Sequence, residues 1–297
     1  MGEVLLPRRA MLLGAAGLAG TALIGCAAEP FPGPAAEAVP DPIPSPSVEP
    51  VPSETPVVEP APPLPDVEAV IAAHEGRMPH SWGVDIPGVV RTGHEAGSAD
   101  PGRVFLTLDA CGGPHGSGYD ERLIAGLQAA QVPATLFLNL RWIEAHPALA
   151  AALAADPLFE LGNHGSSHLP LSVTGHSAYG IPGTASVREA AMEVWRNHVA
   201  LTELTGVQPR WFRPGTAHLD DVGLSIAEAL GERVLGFSVN GDAGATFPAG
   251  IVAAEVGAAG PGAVVIAHMN QPGSGTADGI LSALGAVQAR GLSFGLL

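Results

Sequence analysis

From residue 103 to residue 297, apolar runs of strand length alternate with helical stretches rich in Ala and Leu. The apolar runs lie at 104–108, 134–140, 159–161, 210–212, 234–239, 263–267 and 293–297, and the main helical stretches at 120–130, 143–155, 187–205, 221–230 and 281–289. Repeated βα units predict a parallel sheet covered by helices. We therefore predict an α/β fold over 103–297, a distorted (β/α)7-type barrel of parallel strands, with an open doubly wound sheet as the alternative.

The N-terminus has the layout of an export signal. Arg8 and Arg9 precede an uncharged, Gly- and Ala-rich run that ends at Cys26 and is too short for a membrane span. Leu23-Ile24-Gly25-Cys26 resembles a bacterial lipobox, and the two arginines resemble a twin-arginine signal. We predict a lipoprotein signal peptide at 1–26, export, and a lipid anchor on the outer face of the cytoplasmic membrane in the cell envelope.

Two segments separate this signal from the regular pattern. Residues 27–65 are rich in Pro and Glu and contain no Lys, Arg or His, which predicts a disordered, extended linker. Residues 66–102 are predicted to form an N-terminal helical extension. Its helix is expected over 66–83 and an irregular Gly/Pro segment after it, serving as a lid or brace on the main domain.

The charge and cysteine content limit the possible partners. The net charge is −16, which argues against nucleic acid and other polyanions as ligands. The two cysteines are Cys26 and Cys111, so acylation of Cys26 would leave no partner for an intramolecular disulfide. We predict no nucleic-acid partner and no protein partner.

Polar residues follow the predicted strands at the points where the strands end. In parallel α/β folds, reactive groups lie beyond the C-terminal ends of the strands, so a shared site is favoured over separate capping roles. The residues are Asp109, His164, His168, Arg213, Asn240, Asp242 and His268.

His164 and His168 are four positions apart in the sequence, a spacing that brings two imidazoles to one metal ion if the segment makes a helical turn. The spacing alone is equally compatible with two solvated loop histidines. A third ligand is needed before the pair becomes a metal site.

Five segments of the chain resemble motifs of the polysaccharide deacetylases, carbohydrate esterase family 4. Thr107-Leu108-Asp109 is similar to the start of the first motif, and Leu161-Gly162-Asn163-His164 through His168 to the second. Phe212-Arg213-Pro214 resembles the third, 238–242 loosely resembles the fourth, and Val264-Val265-Ile266-Ala267-His268 resembles the fifth.

This resemblance implies a distorted (β/α) barrel and a role for each matched residue. His164 and His168 would bind zinc or a similar divalent ion, and Asp109 would be the general base. Arg213 would orient Asp109, and His268 would be the general acid.

The chain departs from the family pattern in the first motif, where Ala110 stands at the position of a second, metal-binding aspartate. The third motif also lacks its aromatic residue and the fourth its tryptophan. Asp109 itself, the Cys111 thiolate or a water could complete the metal shell, and His115 is a weaker candidate. We favour Asp109 as ligand, or as ligand and base, because a cysteine in such a place is more often a small packing residue.

The resemblance implies a polysaccharide deacetylase-like hydrolase acting on non-peptide carbon–nitrogen bonds. We expect a metal-dependent enzyme, with zinc as the ion, that removes N-acetyl or O-acetyl groups from a cell-envelope polysaccharide such as peptidoglycan. One alternative is a metal hydrolase of small non-peptide C–N or ester substrates. The other is a non-catalytic glycan-binding lipoprotein, which the departure at Ala110 motivates.

Replacing the lipobox cysteine tests the predicted anchor. Cys26→Ser should move the protein from the membrane fraction to the soluble fraction or leave an uncleaved precursor, because serine cannot receive a thioether-linked lipid. Cell fractionation and the mass of the mature chain measure both effects. Unchanged fractionation and mass would exclude acylation at Cys26.

Overall fold

The computed structural model describes residues 63–297. The predicted signal peptide at 1–26 and most of the predicted linker at 27–65 lie outside the described residues. Among the residues described, no helix has both the length and the apolar character needed to cross a membrane.

The strands of the described region form one large parallel sheet and one small antiparallel pair. The strands are β1 (Trp82–Gly83), β2 (Phe105–Ala110), β3 (Ala134–Leu138), β4 (Phe159–Asn163), β5 (Trp211–Phe212), β6 (Leu219–Asp220), β7 (Arg233–Val234), β8 (Val239–Asn240) and β9 (Val264–His268). In the large sheet the order is β7-β5-β4-β3-β2-β9-β8, and all neighbours are parallel.

The chain passes from one edge of the large sheet to the other between β7 and β8. β7 ends at Val234 and β8 begins at Val239, and five residues reach at most about 18 Å. Seven strands side by side in a flat sheet would be about 29 Å across. The sheet must therefore curl into a half-barrel, which confirms the predicted (β/α)7-type barrel.

The same crossing shows that the predicted single strand at 234–239 is wrong. Its two ends belong to the two opposite edges of the sheet, and its middle bridges them. The Leu235 N–H donates to the Phe212 carbonyl (2.8 Å) and the Ser238 N–H donates to the Val264 carbonyl (3.0 Å). Both halves of the run are apolar, so the sequence pattern does not indicate that the two halves pair with different strands.

Helices cover the outer face of the curled sheet. They are α1 (Val67–His74), α2 (Gly93–Ala96), α3 (Glu121–Ala129), α4 (Leu140–Ala145), α5 (Pro147–Ala155), α6 (Val187–Thr205), α7 (Asp221–Ala229), α8 (Ala249–Ala258) and α9 (Thr276–Ala289). The predicted helix at 143–155 is two helices, divided before Pro147, whose ring cannot continue a helix. α8 was not predicted, and the predicted strand at 293–297 makes only a bridge from Phe294 to Val104.

Alternation along β2 decides which side chains reach the interior of the half-barrel. Leu106, Leu108 and Ala110 belong to the large apolar core beneath the helices. Phe105 belongs instead to a small interior cluster with Phe137, Trp211 and Val264. Because side chains alternate along a strand, Thr107 and Asp109 share the interior face with Phe105.

The N-terminal extension is attached to the domain by a short strand. α1 ends at His74, earlier than the predicted helix at 66–83, because Gly76, Pro79 and Gly83 interrupt the following segment. Met78 is 66% exposed. β1 then pairs antiparallel with β6, placing Trp82 opposite Asp220.

A fully buried polar network fastens α6 to the sheet. The Asn163 amide donates to Glu232 (2.8 Å), and the same Glu232 oxygen lies 2.7 Å from His198 Nδ1. The Asn197 amide donates to Asn163 Oδ1 (2.8 Å). Burial raises the pKa of Glu232 to about 7, although its hydrogen bond to His198 opposes this shift.

Replacing Glu232 should change how stability depends on pH. A pKa raised from 4.5 to about 7 means that the folded protein retains a proton between these pH values that the unfolded chain releases. The free energy of unfolding of the wild type should therefore fall by about 3 kcal/mol as the pH rises through this window. Glu232→Gln, which does not titrate, should lack this fall.

Urea unfolding at pH 5 and pH 7.5 measures the difference between wild type and variant. Glu203→Gln, at an exposed position of α6, is the control and should keep the wild-type pH dependence. An equal pH dependence in wild type and Glu232→Gln would contradict the prediction.

Candidate metal centre and active site

A buried ion pair lies at the C-terminal ends of β2 and β5. Arg213 Nη1 is 2.7 Å from Asp109 Oδ1 and 2.8 Å from Thr107 Oγ1. The guanidinium also donates to the Leu235 carbonyl (3.1 Å) and the Gly236 carbonyl (2.9 Å). Every one of these contacts is buried, so Arg213 holds Asp109 in one orientation.

The charge around Asp109 favours its ionised form. Burial acts to raise the pKa of Asp109, but the positive charges of Arg213, His164 and His268 lower it below its usual value. Oδ1 accepts the Arg213 hydrogen bond, and Oδ2 lies 3.7 Å from His164 Nε2. The carboxylate therefore has one oxygen held by Arg213 and one directed at the histidines.

His164 and His168 lie side by side in a loop, without the helical turn on which the sequence prediction depended. His164 Nδ1 is 2.8 Å from the Arg213 carbonyl oxygen, which leaves Nε2 directed at Asp109 and Cys111. The His164 and His168 rings meet edge to face with centroids 4.9 Å apart. His168 has a positive φ of 59°, an uncommon conformation for a residue with a side chain.

Cys111 joins the two histidines. One ligand atom from each of Cys111, His164 and His168 lies within 4.8 Å of the other two. Burial acts to raise the pKa of the Cys111 thiol, but hydrogen bonds with His164, His168 and His268 lower it well below its usual value. Two imidazoles and a thiolate form a donor set suited to zinc.

Alternation explains why residue 111, rather than residue 110, reaches the histidines. Ala110 is fully buried in the apolar core beneath the helices, on the opposite side of β2 from Asp109. Cys111, one residue further, returns to the interior side. In this backbone a carboxylate at position 110 would point into the apolar core.

His268, at the end of β9, pairs with Asp242. His268 Nδ1 is 2.9 Å from Asp242 Oδ1. Asp242 Oδ2 accepts hydrogen bonds from the backbone N–H of His268 (2.8 Å) and from the Thr276 hydroxyl (2.9 Å). Burial acts to lower the pKa of His268, but Asp242 and Cys111 raise it well above its usual value. An imidazolium at this position can donate a proton.

Glu193, which was not among the predicted site residues, supports the loop that carries His164 and His168. Its carboxylate accepts the N–H groups of Ser167 (3.0 Å) and Leu169 (3.1 Å), on either side of His168, and the Ser166 hydroxyl (2.9 Å). It stands on the buried face of α6 among Ala190, Ala191 and Val194. An acidic residue within an apolar helix face was the one available signal.

These residues form the floor of a cleft of about 690 Å³, within the size range of small-ligand sites. Asp109, Cys111, His168 and His268 all line it. Of the remaining strand-end residues, Asn240 also lines the cleft. His115 is exposed on its wall and is not part of the cysteine–histidine cluster.

A family model described as polysaccharide deacetylase matches residues 96–235. An uncharacterized protein of Bacillus subtilis (strain 168), YlxY, is 29% identical over 112 residues, which cover 38% of this chain and 31% of that protein. The matched segment thus spans about a third of that relative's length.

Solved structures share the fold at low sequence identity. A carbohydrate esterase family 4 (CE4) pseudoenzyme from Bacillus anthracis is 23% identical, with a TM-score of 0.55 over 66% of this chain and 64% of its own. A family 4 carbohydrate esterase from Streptomyces lividans is 23% identical, with a TM-score of 0.54 over 67% and 94%. A mutant of the Bacillus subtilis peptidoglycan deacetylase PdaC is 20% identical, with a TM-score of 0.51 over 65% and 86%.

The family model, the half-barrel fold and the residues at its strand ends agree with one another. Residues 96–235 therefore match the polysaccharide deacetylase family, and the fold is shared with solved carbohydrate esterases of family 4.

Proposed function

We propose that this protein is a metal-dependent hydrolase that removes N-acetyl or O-acetyl groups from a cell-envelope polysaccharide such as peptidoglycan. The observation that carries the proposal is the convergence of three groups on one cleft floor. These are the Asp109–Arg213 pair, the Cys111–His164–His168 cluster and the His268–Asp242 pair.

In this proposal His164, His168 and Cys111 hold the metal ion, with Asp109 beside them as base or as a further ligand. A divalent ion such as zinc, when bound, acts as a Lewis acid on an acyl oxygen and on water. The donor set fits such an ion, because the three ligand atoms already lie within 4.8 Å of one another.

Each catalytic residue has a proton-transfer or positioning role. Asp109 accepts the proton of the attacking water, and Arg213 keeps its carboxylate ionised and oriented. His268, held by Asp242, donates a proton to the leaving amine or hydroxyl. The base and the acid thus lie on different strands and face one cleft, so both can act on one bound acyl group.

A non-catalytic glycan-binding protein is the second candidate, since a CE4 member of similar fold is a pseudoenzyme and Ala110 departs from the family motif. The retained base, acid and supporting charges favour catalysis. A mutant of that pseudoenzyme is described as having restored enzymatic activity, so in that protein mutation can recover catalysis.

The predicted export signal and lipid anchor at Cys26 support an envelope polysaccharide as the substrate. One relative of similar fold, PdaC, is named as a peptidoglycan deacetylase. An anchored domain on a long Pro-rich linker would reach this polymer.

Removing the proposed ligands one at a time tests the metal centre. His164→Ala and His168→Ala should each lose most of their bound metal, because every ligand is a large share of a site with few donors. Cys111→Ser should weaken metal binding and, after cobalt substitution, should lack the thiolate-to-cobalt absorption band of the wild type. Elemental analysis and absorption spectroscopy measure these effects.

His115→Ala is the matched control and should keep both the metal and the cobalt spectrum. A cobalt spectrum with no thiolate band in the wild type would remove Cys111 from the proposed ligands. Full metal content in both histidine variants would remove the site itself.

Asp109→Asn tests the proposed base. The amide keeps the shape of the side chain but cannot accept a proton, so acetate release from acetylated oligosaccharides should fall at least about a hundredfold. Unchanged metal content would identify Asp109 as base only, and loss of metal would identify it as a ligand too. Asp278→Asn, at an exposed position in α9, should behave as wild type. Near-normal acetate release by Asp109→Asn would contradict the proposed mechanism.

A further inference from the structure

Tyr179 is an exposed aromatic residue held in an unfavourable backbone conformation. It is 83% exposed and has a φ of 51°, and the following Gly180 has a φ of 77°. Ala178 and Ile181 close this tight turn with two backbone hydrogen bonds of 3.1 and 2.9 Å. A bulky residue at positive φ is strained, and burial of the ring does not offset that strain here. Such outliers cluster at ligand-binding sites.

Tyr179 is the first of four rings in contact, which we name the aromatic row: Tyr179, His218, Trp82 and His176. The Tyr179 and His218 rings meet edge to face with centroids 5.2 Å apart. Trp82 lies 5.8 Å from His218 and 5.2 Å from His176. Trp82 and His218 are half-buried, whereas Tyr179 and His176 are exposed.

The aromatic row is continuous with the cleft. Tyr179 lines the cleft, as do Thr216 and Ala217, the residues just before His218. Trp82 and His176 are not among the cleft-lining residues, so the row begins at the cleft and leads away from it. A ligand with one unit at the cleft floor would meet these rings with its next units.

The N-terminal extension supplies Trp82 to the row. Strand β1 pairs with β6, immediately after His218. Asp221 holds the two residues before Trp82 in place by accepting hydrogen bonds from the backbone N–H groups of His80 (2.8 Å) and Ser81 (3.0 Å). Trp82 precedes the residues matched by the family model, so the extension adds this ring to the domain.

We propose that the aromatic row is a glycan-binding subsite, on which sugar units adjoining the acetylated one stack against Tyr179 and Trp82. This inference rests on the proposed function for the identity of the ligand. Pyranose rings present an apolar C–H face that packs on aromatic faces, while their hydroxyls stay in water or reach the imidazoles of His176 and His218. The row therefore selects for polymer length rather than for the acetyl group.

Binding of oligosaccharides of two lengths tests the subsite. Calorimetry on the full-length chain carrying Asp109→Asn, to suppress turnover, compares the N-acetylglucosamine tetramer with the monomer. Adding Tyr179→Asn, which removes the ring but tolerates positive φ, should weaken tetramer binding about tenfold and leave monomer binding unchanged. Trp82→Ala should have a similar effect.

Two control variants accompany these changes. Tyr179→Phe keeps the ring and should bind the tetramer as its parent does. Met78→Ala alters an exposed apolar residue of the same extension that lies outside the row, and it should also leave binding unchanged. Tetramer binding that is absent, or insensitive to both Tyr179→Asn and Trp82→Ala, would overturn the subsite.

Measuring acetate release by the wild-type chain distinguishes failure of the subsite from failure of the proposed hydrolase function. Release of acetate with tetramer binding insensitive to the variants would overturn the subsite alone. Variant-sensitive tetramer binding without acetate release would support the subsite and contradict the hydrolase.

Discussion

The buried guanidinium of Arg213 is the group on which the rest of the site depends. It binds the carboxylate of Asp109 on β2 and two backbone carbonyls of the segment that connects the edges of the sheet. The backbone carbonyl of Arg213 in turn holds the His164 ring. Removing Asp109 would leave a buried cation without its partner, at a cost of about 3–5 kcal/mol, so the half-barrel depends on this carboxylate. The contacts that hold the segment between the sheet edges therefore also orient the Asp109 carboxylate.

The sequence predicted the residues at the strand ends because their position follows from chain direction alone. Asp109, His164, His168, Arg213 and His268 each follow an apolar run, and parallel strands bring these ends to one rim. Contacts that depend on long-range packing were not predictable in this way. Glu193 lies on a helix remote in sequence from the loop that it holds, and the two halves of 234–239 have the same local pattern although they join opposite edges.

The choice between Asp109 and Cys111 as third ligand shows where family resemblance stops being informative. The resemblance to the first motif predicts a carboxylate at position 110, but a motif contains no information on the direction in which that side chain points. Strand alternation places Ala110 among apolar side chains and Cys111 beside the histidines. A thiolate is softer than a carboxylate, so such a centre would discriminate more strongly against magnesium and calcium.

The crossing between β7 and β8 leaves both edge strands only two residues long. A long, flat edge with unpaired N–H and carbonyl groups is a template on which a second chain can add a strand. Here the N-terminal extension also bridges one edge, from Val90 to Leu235. The described domain thus offers little edge backbone for pairing with a second chain, so the curvature that forms the cleft also limits edge-to-edge association.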